Sequence, residues 1–172
     1  MVDRLLECEE ILRKENFDCA LSLASEDADR RLLVLLNTER LQEERIVEIV
    51  VDEQKIGDFV CVAIQFQCVF PVEVDPGAVF EMGSLLHFIN RFLDLPGFEL
   101  SEMDQKVFYR YVWLTSENQG IAVGVLKTIV SLIALLMELF SEPIMQVAQG
   151  RTTFTGLLDQ VMAILDKIKV EE

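Results

Sequence analysis

Residues Gln119–Phe140 read QGIAVGVLKTIVSLIALLMELF, a stretch long enough to cross a membrane as a helix. On a helical period, however, small and polar side chains recur at spacings of three and four and form one stripe. Lys127, near the centre, would cost roughly 2.5–3.5 kcal/mol in a bilayer. We therefore expect a helix buried by its own domain, or partly by a second subunit, and no membrane insertion. The stripe comprises Gly120, Gly124, Lys127, Ser131, Ala134 and Glu138.

Composition narrows the class of protein. The chain has 172 residues, of which 51% are apolar, and a net charge of −15. This length and apolar content suit one domain with a proper core. The negative charge argues against nucleic acid and against anionic membrane surfaces, since both bind basic patches. It also keeps an apolar-rich chain soluble.

The N-terminus and the cysteines indicate the compartment. The first residues show no basic segment followed by an apolar run, so we expect no secretory signal peptide. The four cysteines show no CxxC pair or other metal-binding spacing. Free buried thiols in a reducing cytoplasm are the expected state. The cysteines are Cys8, Cys19, Cys61 and Cys68.

The first half of the chain predicts one helix and then several strands. Charged residues among spaced apolar ones predict an amphipathic helix over residues 1–14. Alternating, unbroken or β-branched apolar runs predict strands over 19–24, 32–36, 46–51 and 59–70, separated by turns at 25–29 and 57–58. Pro71 is expected to end the last of these strands.

The second half predicts helices around a hairpin. Asp75-Pro76 is a helix start, and apolar positions at three-and-four spacing, widened by Phe80, Phe88 and Phe92, carry that helix to about Leu95. Residues 98–100 and 107–114 predict a hairpin with SEMDQ as its turn. The long helix should end before Pro143, and an amphipathic pattern predicts a last helix over 153–169.

The aromatic residues of the hairpin share one face. Tyr109, Tyr111 and Trp113 alternate along its second strand. Such a row can form a stacking platform for bases or sugars. The acidic charge opposes that use, so a core or subunit-interface face is the preferred interpretation.

The order of elements predicts the fold class. Strands grouped between helices and joined by short turns suggest an antiparallel sheet with helices packed on it, an α+β domain. We expect about five strands in a single domain over residues 1–172, with an N-terminal helix at 1–15 and an appended C-terminal helix at 153–169.

No motif for catalysis, cofactor binding or metal binding is present. His87 is the only histidine. The chain therefore cannot contain a second histidine-based catalytic triad or a metal site with two histidine ligands. Nucleotide-binding and zinc-protease motifs are absent. Acidic runs such as Glu39 to Glu48 fit solvated faces. We expect no enzyme and no cofactor, with carboxylate-based catalysis as a remote alternative.

Residues 85–140 resemble the YbjN-like bacterial family, which shares its fold with the class I chaperones of type III secretion. The matching positions are Ile89-Asn90 on the helix, FYRY at 108–111 on the hairpin, and residues 120–137 on the long helix. The resemblance implies a twisted antiparallel sheet, an acidic chain and frequent dimerisation. The helix from Thr153 onward departs from the basic chaperone pattern.

The resemblance implies a chaperone-like homodimer that holds a non-globular segment of a partner protein. A YbjN-like regulatory or stress-related role with an unknown partner is the alternative. The candidate contacts come from the two most apolar elements. We expect the partner peptide at Val60, Val62, Ile64 and Phe66, and the dimer interface at Val123, Val130, Ile133 and Met137.

Overall fold

The computed structural model describes residues 3–22, 30–36, 44–56 and 59–160. These residues form helices and strands in the order expected of an α+β protein. The elements are α1 (Arg4–Lys14), β1 (Cys19–Leu21), β2 (Leu32–Leu36), β3 (Arg45–Ile56), β4 (Phe59–Glu73), a 3-10 turn (Pro76–Ala78), α2 (Val79–Phe92), β5 (Phe98–Ser101), β6 (Lys106–Ser116), α3 (Val123–Ala148) and α4 (154–160).

The strands form one open, antiparallel sheet, which confirms the predicted fold class. Its order is β1-β2-β3-β4-β6-β5. The longest printed ladder joins β3 to β4 and sets Ile49 opposite Phe66. The sheet has six strands instead of about five because the three-residue β1 also pairs, with Cys19 opposite Val34.

Contacts between residues divide the chain into two compact units, each built from two segments. Unit 1 comprises Met1–Val69 and Tyr109–Leu139, and unit 2 comprises Phe70–Phe108 and Phe140–Glu172. The elements β4, β6 and α3 contribute residues to both. Each unit therefore depends on parts of the chain that are distant in sequence.

Polar contacts in unit 1 hold the start of α1 and the loop that precedes α3. Asp3 caps α1, since its Oδ1 accepts hydrogen bonds from the Leu5 and Leu6 N–H groups. Glu7 Oε1 accepts from the Ile121 N–H at 2.9 Å, and its Oε2 accepts from Arg4 at 2.7 Å. Burial alone would raise the pKa of the Glu7 carboxyl, but these donors outweigh it and lower the pKa.

The core of unit 1 combines inward-facing residues of the strands with one face each of α1 and α3. The buried positions of α3 follow three-and-four spacing, which is the pattern of a helix buried on one face. The Lys127 ammonium is on the exposed side and pairs with Glu15 at 2.5 Å. The fully buried side chains include Val47, Ile49, Ile64, Phe66, Leu126, Val130 and Met137.

Side chains of unit 2 hold the 3-10 turn before α2 and the end of α2. Asp75 Oδ1 caps the turn by accepting a hydrogen bond from the Gly77 N–H at 2.8 Å. Near the end, the Asn90 amide pairs with the main chain of Phe98: Nδ2 donates to its carbonyl at 2.8 Å, and Oδ1 accepts from its N–H at 3.0 Å. Asn90 thus occupies main-chain groups at the start of β5, an edge strand of the sheet.

Two prolines do not act as predicted. β4 continues through Pro71 to Glu73, because the ladder with β3 ends at Cys68 and the missing Pro71 N–H falls beyond it. α3 continues through Pro143, although an interior proline costs about 3 kcal/mol. The next turn compensates, since Ile144, Val147 and Ala148 are fully buried.

Other predicted boundaries shift by a few residues. α3 begins at Val123, not Gln119, because the Gln119 N–H bonds back to the Ser116 carbonyl in a turn. α2 ends at Phe92, close to the predicted Leu95. The appended C-terminal helix is confirmed over 154–160, and its predicted remainder lies outside the described residues. The predicted turns at 25–29 and 57–58 also lie outside them.

Among the described residues, α3 is long and apolar enough to cross a membrane by length and composition alone. One third of its most apolar 18-residue window is buried inside the protein. A core helix of a soluble protein meets the same criteria, so this finding adds little weight to a membrane span.

Candidate binding surfaces

The predicted partner-binding side chains on β4 lie mostly in the core. Val62, Ile64 and Phe66 are buried, while Val60 is half-buried. Their parity faces inward because the alternate residues of a strand point to opposite sides of the sheet. Three of these four side chains therefore offer no surface to a partner of the folded chain.

The predicted dimer contacts on α3 divide in the same way. Val130, Ile133 and Met137 are buried by the chain itself, whereas Val123 is exposed. The buried three belong to the helix face that contributes to the core of unit 1. A second subunit would have to contact the opposite side of α3.

Unit 2 exposes aromatic side chains along α2, which we call the α2 aromatic surface and define as Phe80, Phe88 and Phe92. Phe80 is 82% exposed and Phe92 is 71% exposed. The rings of Phe88 and Phe92 lie 4.9 Å apart, centroid to centroid. Phe154, the first residue of α4, contacts Phe88 at 5.4 Å. Its N–H donates to Glu81 at 2.8 Å, so α4 begins against α2.

The α2 aromatic surface corrects the sequence-based assignment, which counted these phenylalanines with the buried face. The buried face of α2 consists of Met82, Leu85, Leu86 and Ile89. At 100° per residue, Phe80 points to the opposite side of the helix, and Phe88 lies well off that face. Phe92 follows at the end of the helix. A count of apolar residues cannot distinguish these exposed positions from core positions. Their angles around the helix axis, relative to the buried residues of α2, can.

A groove adjoins Phe80, which we call the α2 groove. It has a volume of about 630 Å³ and lies beside the first turns of α2. Six of its nine lining positions are apolar or glycine, and the other three are polar. Its lining residues are Pro76, Gly77, Val79, Phe80, Gly83, Ser84, His87, Leu100 and Glu102.

Gly83 lies inside α2 and contributes no side chain to the α2 groove. A Cβ atom built at Gly83 would meet no atom within 4 Å, so close packing does not require glycine here. A glycine inside a helix costs about 0.5–1 kcal/mol relative to alanine. Glycine at this position therefore leaves open space above α2 and lowers helix stability.

The polar groups of the α2 groove do not form an activated nucleophile. The Ser84 hydroxyl donates to the Phe80 carbonyl at 3.1 Å, whereas an activated serine donates to a base. His87 and Glu102 are exposed on the groove wall. These groups suit hydrogen bonding and charge pairing with a ligand.

The cysteines are free and mostly buried. Burial raises the pKa of both the Cys8 and the Cys68 thiols to about 12. The pKa of the Cys19 thiol is also raised, chiefly by burial. Such thiols are poor nucleophiles and poor metal ligands. Within the described part of the chain, no three His, Cys, Asp or Glu side chains are grouped as metal ligands.

Tyr109, Tyr111 and Trp113 lie on the more buried face of β6, as expected of a core or interface face. Tyr109 is fully buried, and burial raises the pKa of its hydroxyl to about 12. Tyr111 lies 6.3 Å from Phe66, centroid to centroid. Trp113 is half-buried and lines a groove of about 750 Å³ together with Val60 and Cys61. These aromatics contribute mainly to the core of the sheet.

Comparison with known proteins leaves the chain without a family assignment: no protein-family model matches the sequence, and no curated protein matches it significantly. The surfaces described above therefore carry the functional argument by themselves.

Proposed function

We propose that this protein is a non-enzymatic, chaperone-like binding module that holds a non-globular segment of a partner protein on the α2 aromatic surface. The exposure of Phe80 and Phe92 is the observation that supports this proposal. Burying one phenylalanine side chain stabilises a protein by about 1.5–3 kcal/mol. Exposed apolar patches of this kind, here with Phe88 and Phe92 in contact and Phe80 at the other end of α2, are typical of interaction sites.

The α2 groove supports the choice of an extended segment as the ligand. An apolar side chain of the partner fits above Gly83 and Leu100, beside the Phe80 ring. Hydrogen-bonding and charged groups of the partner can meet His87 and Glu102 on the wall. With a net charge of −15, the protein favours segments that combine apolar anchors with lysine or arginine.

The secretion-chaperone role belongs to the same proposal. Chaperones of this kind hold an unfolded segment on apolar surface and use no nucleotide, and the described fold is of the α+β class that the resemblance implies. The free, buried thiols fit a reducing cytoplasm as the place of action.

Affinity capture from lysate of the native host tests this proposal. We expect the tagged protein to retain a partner, and the double variant Phe80→Ser/Phe92→Ser to retain at least tenfold less, because both rings are removed from the contact. Both side chains are largely exposed, so the variant should keep its melting temperature within a few degrees.

Leu114→Ser is the matched control, since this side chain is 55% exposed on β6 and lies outside the α2 aromatic surface. It should retain as much partner as the unmodified protein. Equal capture by the double variant and the unmodified protein would refute the proposal.

A further inference from the structure

The three rings of the α2 aromatic surface differ in exposure. Phe80 and Phe92 are 82% and 71% exposed, whereas Phe88 between them is 37% exposed. Phe88 contacts the Phe92 ring on α2 itself and the Phe154 ring at the start of α4. α4 therefore covers part of the surface that we assign to the partner segment.

The contacts with α4 lie on one side of α2. Glu81 precedes Phe88 by seven residues and Phe92 follows it by four, so the three share one side of the helix. The Phe154 N–H lies at the start of α4, where a helix leaves such groups without partners of its own, and donates to the Glu81 carboxylate at 2.8 Å. Phe80 lies about 100° from Glu81 around the helix axis, beside the α2 groove. α4 thus covers the Phe88 side of the surface and leaves the Phe80 side open.

Two capping motifs direct the chain from α3 to α2. Gly150 follows the end of α3 with a φ of 63°, a left-handed conformation that glycine adopts readily. The Arg151 N–H donates to the Gln146 carbonyl at 2.9 Å, which is the bond that closes a Schellman motif. Thr153 then caps α4, since its Oγ1 accepts from the Gly156 N–H at 3.0 Å. The approach of α4 to α2 is therefore encoded locally, in the turn between α3 and α4.

Residues 154–160 of α4 add no buried side chain to the core of unit 2. Phe154, Leu157 and Leu158 follow the three-and-four spacing of an apolar helix side, yet each is half-buried. The core side chains of α2, by contrast, are at most 5% exposed. An element that buries little apolar surface is among the first to open locally. α4 can therefore leave α2 while the core of unit 2 stays packed.

We propose that α4 is an autoinhibitory cover, which competes with the partner segment for the Phe88 side of the α2 aromatic surface and is displaced when that segment binds. An apolar side chain of the partner replaces the Phe154 ring against Phe88. A main-chain N–H of the partner replaces the Phe154 N–H at Glu81. Because the covered form must open first, the apparent affinity for the partner is lower than that of the bare surface. This regulation rests on the function proposed above, since it assigns the same surface to the partner.

Titration of the full chain with Nile red, a neutral apolar dye, tests the cover without any partner. Phe154→Ser removes the ring that lies on Phe88, so the dye should bind about two- to tenfold more tightly, the range that one aromatic pair is worth. The melting temperature should stay within a few degrees, because Phe154 is half-buried. Phe154→Tyr is the matched control, since it keeps the ring, and it should bind the dye like the unmodified protein.

A second change locates the dye. Adding Phe88→Ser to Phe154→Ser should cancel the gain in dye affinity, because the uncovered ring is then absent. Equal dye affinity of Phe154→Ser and the unmodified protein would overturn the proposal. A gain that persists after the addition of Phe88→Ser would also overturn it, since the dye would then bind elsewhere.

Capture from lysate of the native host tests the competition itself. At limiting lysate, Phe154→Ser should retain more partner than the unmodified protein, and Phe154→Tyr should retain the same amount. Weaker capture by Phe154→Ser would make α4 a part of the binding surface and would overturn the cover. If neither the unmodified protein nor any variant captures a partner, the proposed function fails, and the dye titration alone then supports or overturns the cover.

Discussion

Ile133→Glu is expected to unfold the protein. Ile133 is 1% exposed, on the face of α3 that forms the core of unit 1. An ionised carboxylate placed there without a partner costs several kcal/mol, in addition to the lost apolar burial. Domains of this size are stable by only about 5–15 kcal/mol, so one such change removes much of the total. Loss of the cooperative thermal transition, followed by circular dichroism, is the measurement.

Leu135→Glu provides the control for Ile133→Glu, because it makes the same change in chemistry two residues further along the same helix. Its side chain is half exposed, and we expect the variant to melt cooperatively near the temperature of the unmodified protein. If Ile133→Glu instead folds normally and is merely monomeric, then a second subunit buries that face, and the packing described for α3 is incorrect.

Gly83→Gln is expected to weaken partner binding while stabilising the protein. The new side chain meets no atom within 4 Å at its Cβ and therefore extends into the α2 groove, where it occupies the space of a ligand. Glutamine favours a helix over glycine by about 0.5 kcal/mol. We expect at least a tenfold loss of affinity for the captured partner, with a melting temperature equal to or above that of the unmodified protein. Isothermal titration and thermal denaturation measure the two quantities.

Gly124→Gln is the matched control for the groove. Gly124 is also an exposed helical glycine whose added Cβ would meet nothing within 4 Å, and it lies outside the α2 groove. It lies in the first turn of α3, where helix propensity counts for less, so we expect little change in melting temperature and normal binding of the partner. Undiminished binding by Gly83→Gln would show that the groove takes no part in recognition.

The fold class was predictable because the hydrophobic period changes clearly along the chain. Alternation on β4 and β6, and the cap at Asp75, correctly located strands and a helix start. The two prolines were misjudged because their effect depends on tertiary context. Pro71 lies beyond the ladder with β3, and the helix through Pro143 is compensated by buried side chains that local sequence does not reveal.

The candidate surfaces were less predictable, since apolar side chains in the core and on a binding surface are the same residue types. Val62 and Ile133 were assigned to contacts and are core residues, while Phe80 was assigned to the core and is exposed. The angle on the helix separates the positions in both cases: Phe80 lies opposite Met82 and Ile89, and the exposed Leu135 lies apart from the buried Val130. Which side of α3 is buried follows only from the packing.

Photo-crosslinking at residue 80 tests the central claim, that the α2 aromatic surface holds a partner. Phe80 is replaced by p-benzoylphenylalanine, which keeps the aromatic ring, and the full chain is irradiated in its native host. We predict a discrete adduct above 19.6 kDa that contains a second protein. The same replacement at Leu114, also exposed, should give little adduct. No adduct at residue 80, or equal adducts at both positions, would contradict the claim.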